Sequence, residues 1–486
     1  MDWRAVIFTL AHLALILALC LVAPLVVALL HLDANPRWPW ELAAFGVPIV
    51  LALGGGLYMR HIAPAQRPLG RREGFAVVTF SWLLMVVVGM LPYPISGATA
   101  NITDAFFETM SGFTTTGATI FERVEVLPAG VQFWRCMTQW LGGMGIIVLG
   151  VALLRYLGVG GYRLLKAEAP GGVAFERDKP RVLQIAGDLW KLYLGISAAE
   201  LLLLKLSGMN WYDSFCHTFT TMSTGGFSPH SESIAYFTSP WTQWIIIAFM
   251  FIAGINFSLH AQLIRLRPAA MGRNPEFRLY AAIIGCALAL GLLVVPAGDA
   301  GIEAHLRTVT FQVVSIGTTT GYATADFDAW PQVMRLVLVL MMFIGGCMGS
   351  TGGGMKVARF LIFTKAFFRE LHRLIYPHGV RHLRVGDRLL DPKIVSNIMA
   401  FGWVWVGLFL VGGLTMAASG YDLVTAASAS VAAVGNIGPG LGEVGATCTW
   451  AHLPAATKWI MSLLMLLGRL EVFSVVVLFT PWAWKR

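Results

Sequence analysis

Thr114–Ala118 reads TTTGA, and three segments of the same kind follow it: Met222–Gly226 (MSTGG), Thr318–Tyr322 (TTTGY) and Ala432–Asn436 (AAVGN). Their central glycines, Gly117, Gly225, Gly321 and Gly435, stand 108, 96 and 114 residues apart, so one unit of about a hundred residues occurs four times. Each glycine follows a stretch able to form a short helix and lies between two long apolar runs. Four strands of small residues gathered around an axis line a narrow path with backbone carbonyls, which replace the water shell of a dehydrated cation. Glycine suits such a path because it permits backbone angles that aim successive carbonyls inward. The pattern predicts an ion pathway built from four quarters of one polypeptide.

The hydroxyls of Thr115, Thr116, Ser223, Thr224, Thr319 and Thr320 add oxygen just before three of the glycines. The fourth segment has none, so coordination there rests on the carbonyls of Ala433 and Val434 beside Gly435, and the fourfold symmetry is approximate. Between the members of each pair of apolar runs sits a segment too short to cross a bilayer. These are Asn101–Gly112, Asn210–Met222, Glu303–Ile316 and Tyr421–Val434, each with an acid near its start (Asp104, Asp213, Glu303, Asp422). An acid in the first turn favours a helix start, and the negative end of the helix then points at the glycine segment. Amphipathic loops with turn glycines explain one such segment easily but four in register poorly. Irregular backbone at membrane depth is tolerated only where protein buries it or where it lines a cavity.

Composition fits a membrane protein. Hydrophobic residues make up 57% of the chain and charged residues 13%, against about 25% charge in a soluble domain. Six scattered cysteines form no CxxC pair, which argues against a disulfide framework or zinc site. Runs of about 20 apolar residues suffice to span a bilayer. Ten can be placed: 5–30, 42–58, 75–95, 131–154, 186–206, 241–264, 279–298, 333–364, 394–418 and 457–480. Lys and Arg collect in cytoplasmic loops. Counting Arg60, Arg67, Arg71 and Arg72, then Arg155 to Lys191, Arg265 to Arg278, Lys356 to Lys393 and both chain ends, 27 of 35 basic residues fall on one side. Both termini are therefore expected in the cytoplasm. This asymmetry accounts for the net charge of +9 better than nucleic-acid binding does.

The run 333–364 is interrupted by GGCMGSTGGGMK, from Gly345 to Lys356. Gly345, Gly346, Gly349, Gly352, Gly353 and Gly354 cannot hold a helix, since each costs about 1 kcal/mol relative to Ala. No Ser or Thr follows Lys356, so the Walker A pattern fails. The segment is either a packing break or a loop that enters the pore beneath the glycine segments. Arg469 falls in the middle of the last run, where an arginine costs roughly 2.5–3.5 kcal/mol on insertion scales. It is expected to face a wet cavity or to pair with another helix, because Glu471, two positions on, is not on its face. His12 and His260 read as packed or membrane-facing, and no nucleophile, paired carboxylate or phosphate loop supports catalysis.

The segments GFTTTGAT, TMSTGGFSP and GTTTGYAT, the run QWLGGMGI from Gln139 and LLGRLEVF around Arg469 resemble the Trk/Ktr/HKT superfamily of potassium transporters. The resemblance covers essentially the whole chain, and the extra N-terminal pair of runs is similar to the Trk branch. It implies an all-α polytopic membrane protein: four helix–pore helix–filter–helix repeats (67–163, 164–268, 269–375, 376–486) around a central pore, after an N-terminal helix pair (1–66). It further implies K+ as the transported ion at the filter residues, with no organic cofactor, in a bacterial inner membrane. The equivalent of the 345–354 loop is the family's gate, and Lys356 at its end is expected to hold it closed against an acid or carbonyl. Arg469 is expected near the filter. At about 6 Å and an effective dielectric near 20 it repels a cation by roughly 2.8 kcal/mol, which helps release. The resemblance also implies a homodimer and a nucleotide-binding cytoplasmic subunit of the TrkA type, for which loops 155–185 and 356–393 offer basic surfaces. A sodium-permeable relative, or a membrane enzyme or cofactor carrier, stays open, as does proton coupling.

Overall fold

The computed structural model describes residues 1–32, 38–64, 70–156, 179–298, 301–379, 382–386 and 388–484. Arg67, Arg163, Lys166, Arg177, Arg381, Lys485 and Arg486, and most of the 155–185 loop, lie outside the described residues.

The four short segments fold as half-helices: Ile102–Phe113, Trp211–Met222, Ile302–Gly317 and Leu423–Gly435. Side-chain oxygens start three of them. Asn101 accepts from Thr103 N (2.9 Å), Asn210 from Asp213 N (2.7 Å), and Asp422 from Val424 N (2.9 Å) and Thr425 N (3.4 Å), which satisfies amides that the helix itself leaves bare. Contact with Thr425 holds the Asp422 carboxyl below its ordinary range. Glu108 to Phe113, Thr220 to Met222, Val309 to Gly317 and Val431 to Gly435 are buried on every face. These ends therefore form the centre of the molecule, with Phe107, Phe113, Phe311, Val313, Ala429 and Val434 in one continuous core.

Long helices surround them. Trp3–Leu30, Trp38–Ile62, Arg72–Ser96, Pro275–Val294 and Pro392–Ala418 are long and apolar enough to cross a membrane without a sharp bend. Ala129–Tyr156 and Lys179–Leu206 have 28 residues each, about 42 Å at 1.5 Å per residue. Leu19, Leu30, Val50, Leu293, Trp403 and Leu414 point outward, giving the shell the apolar exterior that lipid requires. The chain is thus an all-α polytopic membrane protein, apart from a ladder of two residues per strand, Arg384–Val385 against Arg388–Leu389.

Three of the ten expected spans are broken, where the sequence suggested one. Besides the glycine-rich interruption, which separates Gln332–Ile344 from Val357–Ile375, Pro240–Ala253 meets Phe257–Ile264 at 104° and Ala455–Arg469 meets Phe473–Phe479 at 109°. The first bend is fixed by Asn256, whose side chain accepts from Ser258 N (2.8 Å) and restarts the helix. At the second, Glu471 and Val472 both take φ +56°, which no helix accommodates. Arg469 is consequently the last residue of a helix and not the middle of a span.

Candidate ion pathway

Each half-helix ends in the same two-bond closure. Thr115 N, Thr224 N, Thr319 N and Asn436 N reach back three residues to Gly112 O, Thr221 O, Ile316 O and Ala433 O (2.9–3.3 Å). The next amides, of Thr116, Gly225, Thr320 and Ile437, reach back five, to Ser111 O, Thr220 O, Ser315 O and Ala432 O (2.8–2.9 Å). This is a Schellman motif, whose first residue past the cap must be left-handed, a place glycine usually takes. Here Thr115 (φ +52°), Thr224 (+52°), Thr319 (+63°) and Asn436 (+54°) occupy it. A β-branched residue at positive φ is an outlier, and such strain concentrates at functional sites.

Two residues beyond each stands a left-handed glycine: Gly117 (φ +84°), Gly226 (+80°), Gly321 (+81°) and Gly438 (+97°). The four form a closed ring. A Cβ added to Gly117 would collide with Gly225 O, one on Gly226 with Thr320 O, and one on Gly321 with Ile437 O; one on Gly438 would lie 2.6 Å from Thr116 O. Every quarter leans on the residue before the glycine of the next, and the fourth returns to the first.

The ring corrects the register read from the sequence in two quarters. Gly225 is the counterpart of Thr116 and Thr320, so the second glycine position is Gly226. In the fourth quarter Ala433, Val434 and Gly435 are the last residues of the half-helix, and Asn436–Ile437–Gly438 forms the turn. The expected segments Thr115–Gly117 and Thr319–Gly321 stand where the spacing put them, and Ser223 and Thr224 lie at the helix end and the left-handed position. What singles out the fourth turn is a residue tolerant of left-handed backbone two places before a glycine; Asn436, two before Gly438, meets that condition and Ala433, two before Gly435, does not. Two side-chain oxygens of the left-handed set, Thr115 Oγ1 and Asn436 Oδ1, are buried without a partner among the described residues.

The glycine-rich loop is packed against the ends of these turns. Gly353 N donates to Thr319 Oγ1 (2.6 Å) and Gly354 N to Gly435 O (2.9 Å). Thr351 Oγ1 reaches Met222 O (3.0 Å) and Ala253 O (3.2 Å), and Cys347 N reaches Gly254 O (2.9 Å). Close approach demands the glycines: a Cβ on Gly353 would strike Gly435 O, and one on Gly345 would strike Gly353 O. Lys356, at φ +69°, turns its ammonium back onto Gly352 O. Glu276 Oε1 accepts from Met348 N (2.6 Å) and Ala358 N (3.1 Å), tying both ends of the loop to one carboxylate.

Arg469 is buried on this loop. Its Nη1 donates to Thr351 O (2.8 Å) and its Nη2 to Gly142 O (3.4 Å). The alternative of an ion pair with another helix is not what forms; Glu471 instead binds Arg359 Nη2 at 2.5 Å.

Several residues at the site were not singled out for it from the sequence. Arg135 Nε and Glu108 Oε1 form a buried pair at 2.6 Å. Glu108 also takes Ile120 N (2.9 Å), while Arg135 Nη1 donates to Ser228 O (2.9 Å) and its guanidinium lies 3.7 Å from the Phe227 ring centroid. Gln139 bonds Gly225 O (2.7 Å) and Phe227 N (3.1 Å). An Arg in an apolar run and a Glu in a buried half-helix each need a partner, but their pairing across 27 residues has no sequence mark.

A closed ring of four left-handed turns, carried on buried half-helices inside a lipid-facing helical shell, defines a multi-pass membrane transport protein. The chain belongs to the TrkH family: the family model described as "Cation transport protein" matches residues 44–276 and 287–484. As a member of a transport family it is not an enzyme. It is 38% identical over 491 residues to the Trk system potassium uptake protein TrkH of Halomonas elongata and 39% identical over 491 residues to that of Escherichia coli K12, with all of each chain covered. The Trk system potassium uptake protein TrkG of Escherichia coli K12 is 31% identical, with 99% of both chains covered. The crystal structure of the potassium transporter TrkH from Vibrio parahaemolyticus superposes with a TM-score of 0.91 at 34% identity, over the whole of both chains.

Proposed function

We propose that this chain takes up potassium across the inner membrane of a bacterium, with both termini in the cytoplasm. The observation that carries the reading is the closed ring of Thr115–Gly117, Thr224–Gly226, Thr319–Gly321 and Asn436–Gly438. Four backbone turns packed head to tail in a ring can supply carbonyl oxygen in place of water. The oxygens of Thr115 and Asn436, without a partner among the described residues, add acceptors. The likeness to Trk system potassium uptake proteins favours K+ over Na+ as cargo.

The same reading divides the chain into an N-terminal helix pair (1–66) and quarters 67–163, 164–268, 269–375 and 376–486. It makes the loop Gly345–Gly354, with Gly345, Gly346, Gly349, Gly352, Gly353, Gly354 and Lys356, the gate, held by Arg469. A homodimer carrying a TrkA-like nucleotide-binding subunit is the working assembly, and co-purification from native membranes checks it. In proteoliposomes, Gly117→Ser is expected to lower the K+/Na+ flux ratio, because a side chain there strikes Gly225 O. An unchanged ratio in folded protein refutes the filter. A wild-type ratio near unity marks a sodium-permeable relative instead.

A further inference from the structure

Three quarters of the ring carry a side chain just before the left-handed glycine: Thr116, Thr320 and Ile437. The second carries Gly225, whose backbone is not in the left-handed region. Its lack of a side chain is therefore not demanded by its own conformation. The reason lies across the repeat boundary. A Cβ on Gly225 would collide with the amide carbon of Gln139, which belongs to the Ala129–Tyr156 helix of the first quarter. Gln139 fills the space where the other quarters place a Thr or Ile side chain. Its two ends grip the peptide groups on either side of Gly226, donating from Nε2 to Gly225 O (2.7 Å) and accepting at Oε1 from Phe227 N (3.1 Å).

The equivalent helices of other quarters show what normally stands there. A Cβ on Gly142 would strike Phe113 O and one on Gly468 would strike Val434 O, and Phe113 and Val434 occupy matching places two residues before the left-handed position. Counting back three residues aligns Gln139 with Met465. In the same way Gly143 packs on Ser223 and Gly254 on Thr318, the matching helix-end residues. Counting back four aligns Gln139 with Met250. Met250 and Met465 are wholly buried and apolar. A polar side chain thus replaces methionine where the turn it faces has lost its own side chain.

We infer that Gln139 is a specificity-determining positioning residue, an amide clamp supplied by the first quarter that holds the second-quarter turn at the geometry its neighbours reach with Thr or Ile. It does not touch the ion; it fixes the backbone that does. The inference rests on the ring being the ion filter.

The test uses full-length protein in proteoliposomes, with K+ and Na+ fluxes measured separately and folding checked by monodispersity and thermal unfolding. Gln139→Met removes both hydrogen bonds and is expected to lower the K+/Na+ ratio by about five-fold or more, since the turn is then free to relax around the smaller ion. Gly225→Thr alone is expected to cut K+ flux, because the new side chain meets Gln139. Combining Gly225→Thr with Gln139→Met rebuilds the arrangement of the third quarter and is expected to restore both flux and ratio. That recovery is the readout a merely structural residue does not give. An unchanged ratio in folded Gln139→Met, or a double variant as impaired as the two singles together, overturns the inference. Should Gln139→Met alone fail to fold, recovery of folded, selective protein by adding Gly225→Thr supports the clamp, and its absence overturns it. Gly117→Ser is run in parallel: if that variant loses selectivity while Gln139→Met does not, the clamp fails and the filter stands.

Discussion

Replacing Arg469 by methionine isolates the contact that ties the glycine-rich loop to the last quarter. The bond from Nη1 to Thr351 O, at 2.8 Å, is charge-assisted and buried. Hydrogen bonds to charged groups contribute about 1.5–3 kcal/mol, which corresponds to roughly 12- to 150-fold in a two-state equilibrium. The longer contact to Gly142 O, at 3.4 Å, adds little. If the packed loop is the closed state, Arg469→Met shifts the balance toward open by that factor, and rubidium uptake into proteoliposomes rises until the open fraction saturates. Removing the positive charge also lowers any repulsion felt by a cation at the ring, so Arg469→Lys is the control. It keeps the charge but lacks the forked reach, and a rise in both variants assigns the effect to the contact. The K+/Na+ ratio is expected to stay constant, because neither bond of Arg469 involves the four turns. Uptake equal to or below wild type in folded Arg469→Met refutes the reasoning. Shortening Gly345–Gly354 by several residues is expected to raise uptake in the same assay, and a fall would leave the loop as packing.

The register of the fourth turn is open to direct test. Gly438→Ala, at φ +97° and 2.6 Å from Thr116 O, carries about 1–3 kcal/mol of backbone strain and is expected to reduce both K+ flux and K+/Na+ discrimination. Gly435→Ala has no such φ and is expected to disturb the loop through Met342 O and Ile437 more than the ion ratio; the opposite ranking in flux assays would make Gly435 the filter glycine of the fourth quarter. For the buried pair, Arg135→Met alone leaves Glu108 uncompensated. It is expected to cost about 3–5 kcal/mol, read as a large drop in thermal midpoint, whereas Arg135→Met with Glu108→Leu recovers most of it. A double variant no more stable than the single would show that the pair matters through its backbone partners Ile120 and Ser228 instead.

The four half-helices were legible because their signals are local: Asn101, Asn210 and Asp422 cap three of them, and each of the four fills a gap between apolar runs. Their observed ends fall within a residue or two of those expected. The turns were legible only where a hydroxyl triplet abuts the glycine, as at Thr114–Gly117 and Thr318–Gly321. In the second and fourth quarters an extra glycine, Gly225 or Gly435, precedes the one whose left-handed backbone matters, and composition does not rank the two. The bends at 254–256 and 470–472 were hidden because apolar residues continue on both sides. Asn256, a polar residue inside an apolar run with a Ser two places on, was the available cue. Gln139–Gly225, Arg135–Glu108 and Arg469–Thr351 join positions 86, 27 and 118 residues apart, and nothing in a single chain marks such meetings.

The head-to-tail closure of the four turns has an evolutionary corollary. A pore assembled from identical subunits repeats every substitution at all its quarters, so its opening can change only in fourfold jumps. Here each quarter is separately encoded, and every contact around the ring is a different pair: Gly117 with Gly225, Gly226 with Thr320, Gly321 with Ile437, and Gly438 with Thr116. A substitution therefore acts once and meets one neighbour, in one rotational sense. In the second quarter the helix behind the turn carries the matching difference, Gln139 against Gly225. Fusion of the quarters into one chain thus converts a coarse dial into one with four independent fine adjustments.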